Sequence, residues 1–377
     1  MSLYDHMFIK FLVEKGHDVH LITFCPSNKS DEAQQGIPTF EGFEVHHFDI
    51  QRILGADDIN GLWGFFKLTL NHMVRISALF NLVRRIKPDV LNGHFITTYG
   101  LWSALSYYHP FLLTVWGSDI LVLPKQLRTG KPIARFVLKM ADAVIVNSMV
   151  QKQAAVDLGC NPRKIVSFPW AVDLERFNPK VSGERIRKSL GWEQNQIIFC
   201  TRWHKPIYGV KYLLYTIPKI VQEHPEARFM IGGCGPLTDK FKGFVAKEGL
   251  GGYVKFVGKI SHEDMPEYMA ACDIYVSPSL SDGTSASLLE AMACSKPVVV
   301  SDIPGNLEWV NNNINGFTVP TRDVKALANA ILELLRDEVL RKKFGARNLE
   351  IVKEKADVRR SLQLYEDILI ALVSRRR

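Results

Sequence analysis

The chain has 377 residues, 47% hydrophobic and 23% charged, with a formal net charge of +8. That length exceeds one ordinary core and predicts two domains, and that composition excludes a disordered chain. No apolar run reaches the ~18–20 residues a membrane span needs, and the polar mixture MSLYDHMFIK at the start does not read as a signal peptide.

In chain order, LYDHMFIKFLVEKGH opens as a helix, with apolar residues at 3, 7, 8, 11 and 12 and Gly16 as its stop. A doubly wound domain ordinarily begins one strand earlier, with a glycine-rich loop into that helix, so the first strand is expected to be missing. HDVHLITF (17–24), PDVLNGHF (88–95), FLLTVW (111–116) and ADAVIVNS (141–148) read as buried strands, with a helical period at 68–86 between them. The segment 164–180, KIVSFPWAVDLERFNPK, carries two prolines and no period, and reads as a linker. Strands then resume at 196–202, 227–233, 253–259, 271–279 and 296–302, separated by helices at 209–223, 236–248, 263–270, 285–293 and 322–335. The end, 338–375, reads as helical and amphipathic. The alternation predicts parallel sheets covered by helices in two tandem α/β domains.

The six cysteines (Cys25, Cys160, Cys200, Cys234, Cys272, Cys294) are scattered, form no CxxC pair and sit mostly in apolar stretches. This suits a reducing cytosol and argues against a zinc site. The basic runs are short: RRIK at 84–87, RKK at 341–343 and RRR at 375–377. They read as solvated helix faces and a charged tail, with a weak attraction to an anionic membrane surface as the second reading. Neither an RNA-binding aromatic motif nor a zinc-finger spacing appears, so nucleic acid is not expected as a partner.

The chemistry concentrates in SPSLSDGTSASLLEAMACSKPVVVSDIPGNLEWV (277–310). A strand ends near Ser277, a polar loop holds Asp282 and Gly283, and a helix starts near Ser285 with Thr284 or Ser285 as its cap. Such a helix start suits a phosphate or sugar oxygen. Glu290 lies inside the helix among apolar neighbours, where a carboxylate needs partners such as ribose hydroxyls. A solvated helix face with Asp282 as a loop cap is the plainer alternative. In TRWHKPIYGVKYLL (201–214), Arg202, His204 and Lys205 follow a strand end and suit a diphosphate, or form a solvated basic loop. Gly232, Gly233 and Gly235 of IGGCGPL follow another strand, and Gly258 and Lys259 end a further one, where backbone groups could read a base. In the first half, His94 and the Trp116–Asp119 stretch stand at strand ends.

Together these features resemble the retaining glycosyltransferases of the GT-B fold, family 4. The resemblance covers nearly the whole chain and is strongest over 196–320. Asp282, seven residues, Glu290 and then AMACSKPVV match the family's donor motif, with Asp in place of the commoner Glu and Ser295 in place of Gly. Arg202, five residues, Tyr208 and Gly209 match its phosphate motif, with Tyr208 at the lysine position and Lys205 near enough to substitute. IGGCGP, FPWAVDLERFNP and NGFTVP are also typical. The resemblance implies two Rossmann-like domains facing a cleft, 1–170 on the acceptor side and 171–355 for the nucleotide sugar, with 356–377 as a helix crossing back onto the first. It implies that Arg202 and Lys205 balance the leaving diphosphate and that Asp282 holds sugar hydroxyls with Gly283, Thr284 and Ser285. Glu290 would hold the ribose, and Gly258, Lys259 and Ile260 would line the base, with Gly233, Gly235 and Tyr208 also on the donor side. Trp116 stands where many members have a histidine, so Trp116, Asp119 and His94 are the first-domain candidates. The implied activity is transfer of a hexose-type sugar from a nucleoside-diphosphate sugar to a glycan or lipid-linked acceptor, with retention. No cofactor or metal is expected, and the location implied is the cytoplasm, with peripheral attachment to the inner membrane face. A non-catalytic nucleotide-sugar binder and a nucleotide-sugar epimerase are the alternatives.

Overall fold

The computed structural model describes residues 3–23, 43–47, 61–167 and 171–374. The chain divides into two compact units. One comprises Met1–Val146, Lys152–Ser167 and Leu362–Arg377, the other Asn147–Gln151 and Phe168–Ser361.

In the first unit, α1 (Leu3–Glu14) buries Phe8, Ile9 and Leu12. It closes on Gly16 through paired bonds from Gly16 N to Val13 O and from His17 N to Leu12 O. Strands β1 (Val19–Thr23) and β2 (Phe43–His47) form a parallel pair. After α2 (Gly61–Ile86), strands β3 (Leu91–His94), β4 (Phe111–Thr114), β5 (Ala143–Val146) and β6 (Ile165–Ser167) form a parallel sheet in that spatial order. β4 and β5 are buried on both faces, as parallel strands under helices must be. Phe111, Leu113, Val144 and Val146 pack with Ala134, Val137 and Leu138 of α3 (Gly130–Met140). β6 corrects the linker reading of 164–180: Ile165 and Val166 pair with Val144 and Ile145 as an edge strand. Three residues ahead of Pro169 are too short to show a period. β2 was also missed, and Cys25 lies outside the described residues.

In the second unit, β7 (Gln196–Thr201), β8 (Ala227–Gly232), β9 (Val254–Gly258), β10 (Ile274–Ser277), β11 (Val298–Ser301) and β12 (Gly316–Val319) are all parallel, in the order 12-11-10-7-8-9. The winding runs outward in opposite directions from β7 and β10, so a topological switch point lies between them. Ligands of doubly wound sheets bind at the carboxyl ends of the strands at such a point. The helices that matter for the site are α4 (Val210–Glu223) and α5 (Ala286–Ala293). Aspartates cap the next two: Asp323 accepts from Ala326 N ahead of α6 (Val324–Arg336), and Asp337 from Leu340 N ahead of α7 (Glu338–Lys355).

The terminal helical stretch consists of two helices. The backbone at 356–358 turns aside to bond Val172: Val172 N donates to Ala356 O at 2.9 Å and Val358 N to Val172 O at 3.3 Å. α8 (Val358–Ser374) follows, and its residues from Leu362 belong to the first unit. There Tyr365 meets the Phe8 ring at 4.5 Å, accepts a bond from Asn92 Nδ2, and has His17 bonded to its neighbour Glu366. Among the described residues, no helix is long and apolar enough to cross a membrane.

Candidate active site

The switch point of the second unit places Arg202 one residue past β7, beside the loop that leads from β10 into α5. Arg202 ion-pairs with Asp282, donates from Nη1 to Ser285 Oγ at 2.7 Å and Ser287 Oγ at 3.3 Å, and stacks its guanidinium 4.6 Å from the Tyr208 ring. Burial works against its charge, yet Asp282, with Tyr275 and Tyr208 beside it, raises its pKa above the ordinary value. Its Nε is buried without a protein partner. Tyr208, at the lysine position of the phosphate motif, thus supports the arginine from one face instead of adding a second cation.

Backbone fit holds this loop in place. Gly209, at φ +63°, precedes α4 where a Cβ would lie 2.0 Å from Pro278 O. Gly233, at φ +93°, leaves no room for a Cβ, which would sit 2.5 Å from Arg202 O. Its N–H donates to Gly258 O at 2.6 Å, so the ends of β8 and β9 are tied together behind Arg202. Gly235 N bonds Thr238 Oγ1 in the same turn. Lys259 is exposed and Ile260 packs on the core.

Glu290, on the second turn of α5, is 8% exposed. Burial pushes its carboxyl up to about 7, against the pull of Arg176 and Arg202. Arg176 was missed by the sequence reading, though it stands in the stretch AVDLERFNP singled out as typical of the family. Tyr275, which donates to Ser287 Oγ at 2.7 Å, and Ser287 itself were missed too.

Several expectations are corrected. His204 is fully buried, bonded through Nδ1 to Thr238 Oγ1 and packed edge-on to Phe241. Burial lowers its pKa, so it is a neutral core histidine and not a cation for a diphosphate. Lys205 points to the Trp203 ring, with Nζ 5.2 Å from its centroid, and makes no described contact with the Arg202 cluster. Ser285 is the N-cap residue of α5 but its side chain makes no capping bond, because Arg202 holds it. Thr284 does not cap either. Its N–H and hydroxyl bond Asn147 Oδ1 and O, at 3.3 and 2.5 Å. Gly283 N bonds the Asp282 side chain at 3.0 Å. Two of the three backbone donors expected to face a sugar are therefore engaged within the protein.

In the first unit, His94 ends β3 and is held between Asn92 Nδ2 at 3.0 Å and Trp116 Nε1 at 3.2 Å. Asp119 is fully buried, and its carboxylate accepts from Ile96 N, Trp116 N and Gly117 N at 2.8–3.1 Å. Burial raises its pKa although these bonds oppose the rise. These three bonds shape the turns after β3 and β4, so Asp119, fully buried, acts by positioning the backbone around His94 and Trp116.

The chain as a whole is similar to known proteins. The model of glycosyl transferases group 1 matches residues 182–350 and the glycosyl transferase 4-like model residues 2–148. An uncharacterised glycosyltransferase of Methanocaldococcus jannaschii is 27% identical over 278 residues, 73% of each chain. The N,N'-diacetylbacillosaminyl-diphospho-undecaprenol alpha-1,3-N-acetylgalactosaminyltransferase of Campylobacter jejuni is 28% identical over 335 residues, 82% of this chain and 85% of its own. Among solved structures, Anabaena HepE with UDP and glucose superposes at a TM-score of 0.77 with 19% identity, over 98% of this chain and 96% of that one. The fold is that of the GT-B glycosyltransferases, two Rossmann-like domains built on parallel sheets. The chain belongs to that group, as a glycosyltransferase of the family 4 type.

Proposed function

We propose that the chain moves a hexose-type sugar from a nucleoside-diphosphate sugar to a glycan or lipid-linked acceptor, with retention of anomeric configuration. The observation that carries this reading is the buried Arg202, held by Asp282, Ser285 and Tyr208 at the switch point, with Glu290 one helical turn on. Arg202 balances the charge that develops on the departing diphosphate, so the reading calls on no metal or cofactor for the transfer. A cation about 4 Å away is worth about 4 kcal/mol at an effective dielectric near 20. Asp282 releases part of its hold on Arg202 to accept from sugar hydroxyls, and Glu290 accepts from the ribose in its ionised form. Gly258, Lys259 and Ile260 line the base. The anomeric C–O bond to the diphosphate breaks, and the acceptor oxygen bonds the same face. The acceptor proton passes to the departing phosphate oxygen.

UDP and glucose bound to HepE support a nucleotide-sugar donor, and the diphospho-undecaprenol in the Campylobacter enzyme's name supports a lipid-linked acceptor. With such an acceptor, the +8 charge favours peripheral attachment to an anionic, cytoplasmic membrane face. The stereochemical part is tested by proton NMR of the product formed from an α-linked nucleotide sugar. An α-linkage is expected, and a β-linked product rules retention out.

A further inference from the structure

A second cluster of reactive side chains lies in the first unit, on the strand pair that the transfer chemistry does not use. The register of β1 and β2 sets His20 opposite Glu44 and Ile22 opposite His46. Side chains alternate between faces along a strand, so His20, Glu44 and His46 share one face. His20 Nδ1 lies 3.1 Å from His46 Nε2 and 3.3 Å from Glu44 Oε2, and His46 Nε2 lies 3.6 Å from Glu44 Oε2. The two imidazoles are sheltered, with side chains 17% and 16% exposed, while Glu44, at 68%, reaches in from the open side.

That triangle has the size of one face of a metal coordination sphere. Tetrahedral bonds of about 2.0–2.1 Å place neighbouring ligand atoms about 3.3 Å apart. The outer partner is also in place: His20 Nε2 lies 3.4 Å from Asp18 Oδ2. A carboxylate on the far nitrogen is what orients a ligating imidazole, because it holds the N–H there and leaves the other lone pair to the metal.

We propose that His20 Nδ1, Glu44 Oε2 and His46 Nε2 bind one borderline divalent transition-metal ion, zinc foremost, with a water in the fourth position. Two imidazoles and one carboxylate suit zinc, nickel or copper, whereas calcium and magnesium require mostly oxygen ligands. The ion would staple β1 to β2. A two-stranded pair is marginal by itself, so such a cross-link has a structural use. Its ligands come from strands 24 and 26 residues apart (44 − 20 and 46 − 20), a spacing without a sequence signature.

The test uses the full chain stripped with chelator, titrated with zinc chloride by calorimetry and with cobalt chloride by visible absorption. The expected result is one ion per chain, cobalt bands of tetrahedral intensity that zinc displaces, and no response to magnesium. His20→Asn and His46→Asn should each weaken zinc binding at least ~100-fold, and Asp18→Asn by about 10–100-fold. Circular dichroism checks that the variants fold, and Glu44→Gln, at an exposed position, gives the answer should either histidine variant unfold. Zinc binding unchanged in the folded variants, or no binding by the folded wild type, overturns the site.

Discussion

Glu290 offers the sharpest perturbation. Its carboxyl titrates at about 7 in the folded chain against an ordinary 4.5, and it is 8% exposed. On unfolding it returns to water and ionises more readily, so between pH 4.5 and 7 the folded state holds the extra proton. Stability therefore falls as pH rises across that window and is flat above it. A shift of this size corresponds to about 3 kcal/mol at 1.36 kcal/mol per pKa unit. Glu290→Gln removes the titration and keeps the shape. The stability of the variant relative to wild type should thus climb by about 3 kcal/mol between pH 4.5 and pH 8. Urea denaturation followed by tryptophan fluorescence across that range measures it, because every other titrating group cancels in the difference. A difference that stays flat, or that favours wild type as pH rises, would refute the claim that burial outweighs Arg176 and Arg202. A corollary concerns the ligand: a ribose that binds the ionised form should lose affinity for the protein about tenfold per pH unit below 7.

Three further outcomes follow from the geometry. Asp119→Asn would set an amide N–H2 against one of the three backbone N–H groups the carboxylate accepts. It should cost about 1–3 kcal/mol in chemical denaturation, and an unchanged midpoint would contradict the assigned role. Gly233→Ala must hold a Cβ at φ +93°, 2.5 Å from Arg202 O, so about 1–3 kcal/mol of backbone strain is expected together with weaker nucleotide binding in calorimetry. Among the described cysteines, Cys234 is exposed and Cys160, Cys200, Cys272 and Cys294 are buried, with the thiols of Cys200 and Cys272 pushed up to about 12. Peptide mapping after brief alkylation of the native chain should find Cys234 modified well ahead of the other four, and equal labelling of Cys200 would contradict the burial.

The parallel strands at 91–94, 111–114 and 143–146 and β7 to β11 of the second unit were legible because strands covered on both faces are short, apolar and β-branched, whereas β12 (Gly316–Val319) was not read as a strand. β6 was not, since three residues carry no period and its partner β5 is what makes it a strand. The break at Ala356–Asp357 depends on Val172, nearly two hundred residues away, and no local signal marks it. In the site, Arg202, Asp282 and Glu290 were readable from type and spacing. What they do to one another was not: only the fold shows that Asp282 pairs with Arg202 and that Thr284 bonds Asn147. His204 and Lys205 looked alike in the sequence as basic loop residues, yet burial makes one a core group and leaves the other over Trp203. The His20, Glu44 and His46 cluster escaped because it exists only through strand register.

The central claim is that Arg202 and Glu290 form the donor site of a transferase. It is tested most directly by presenting the purified chain with a panel of nucleoside-diphosphate sugars and following free nucleoside diphosphate by mass spectrometry, with and without a lipid or glycan acceptor. The account predicts acceptor-stimulated release from one donor, lost in both Arg202→Ala and Glu290→Ala. Release that survives both substitutions, or a folded wild type that binds a nucleotide sugar and releases nothing with any acceptor, would contradict it.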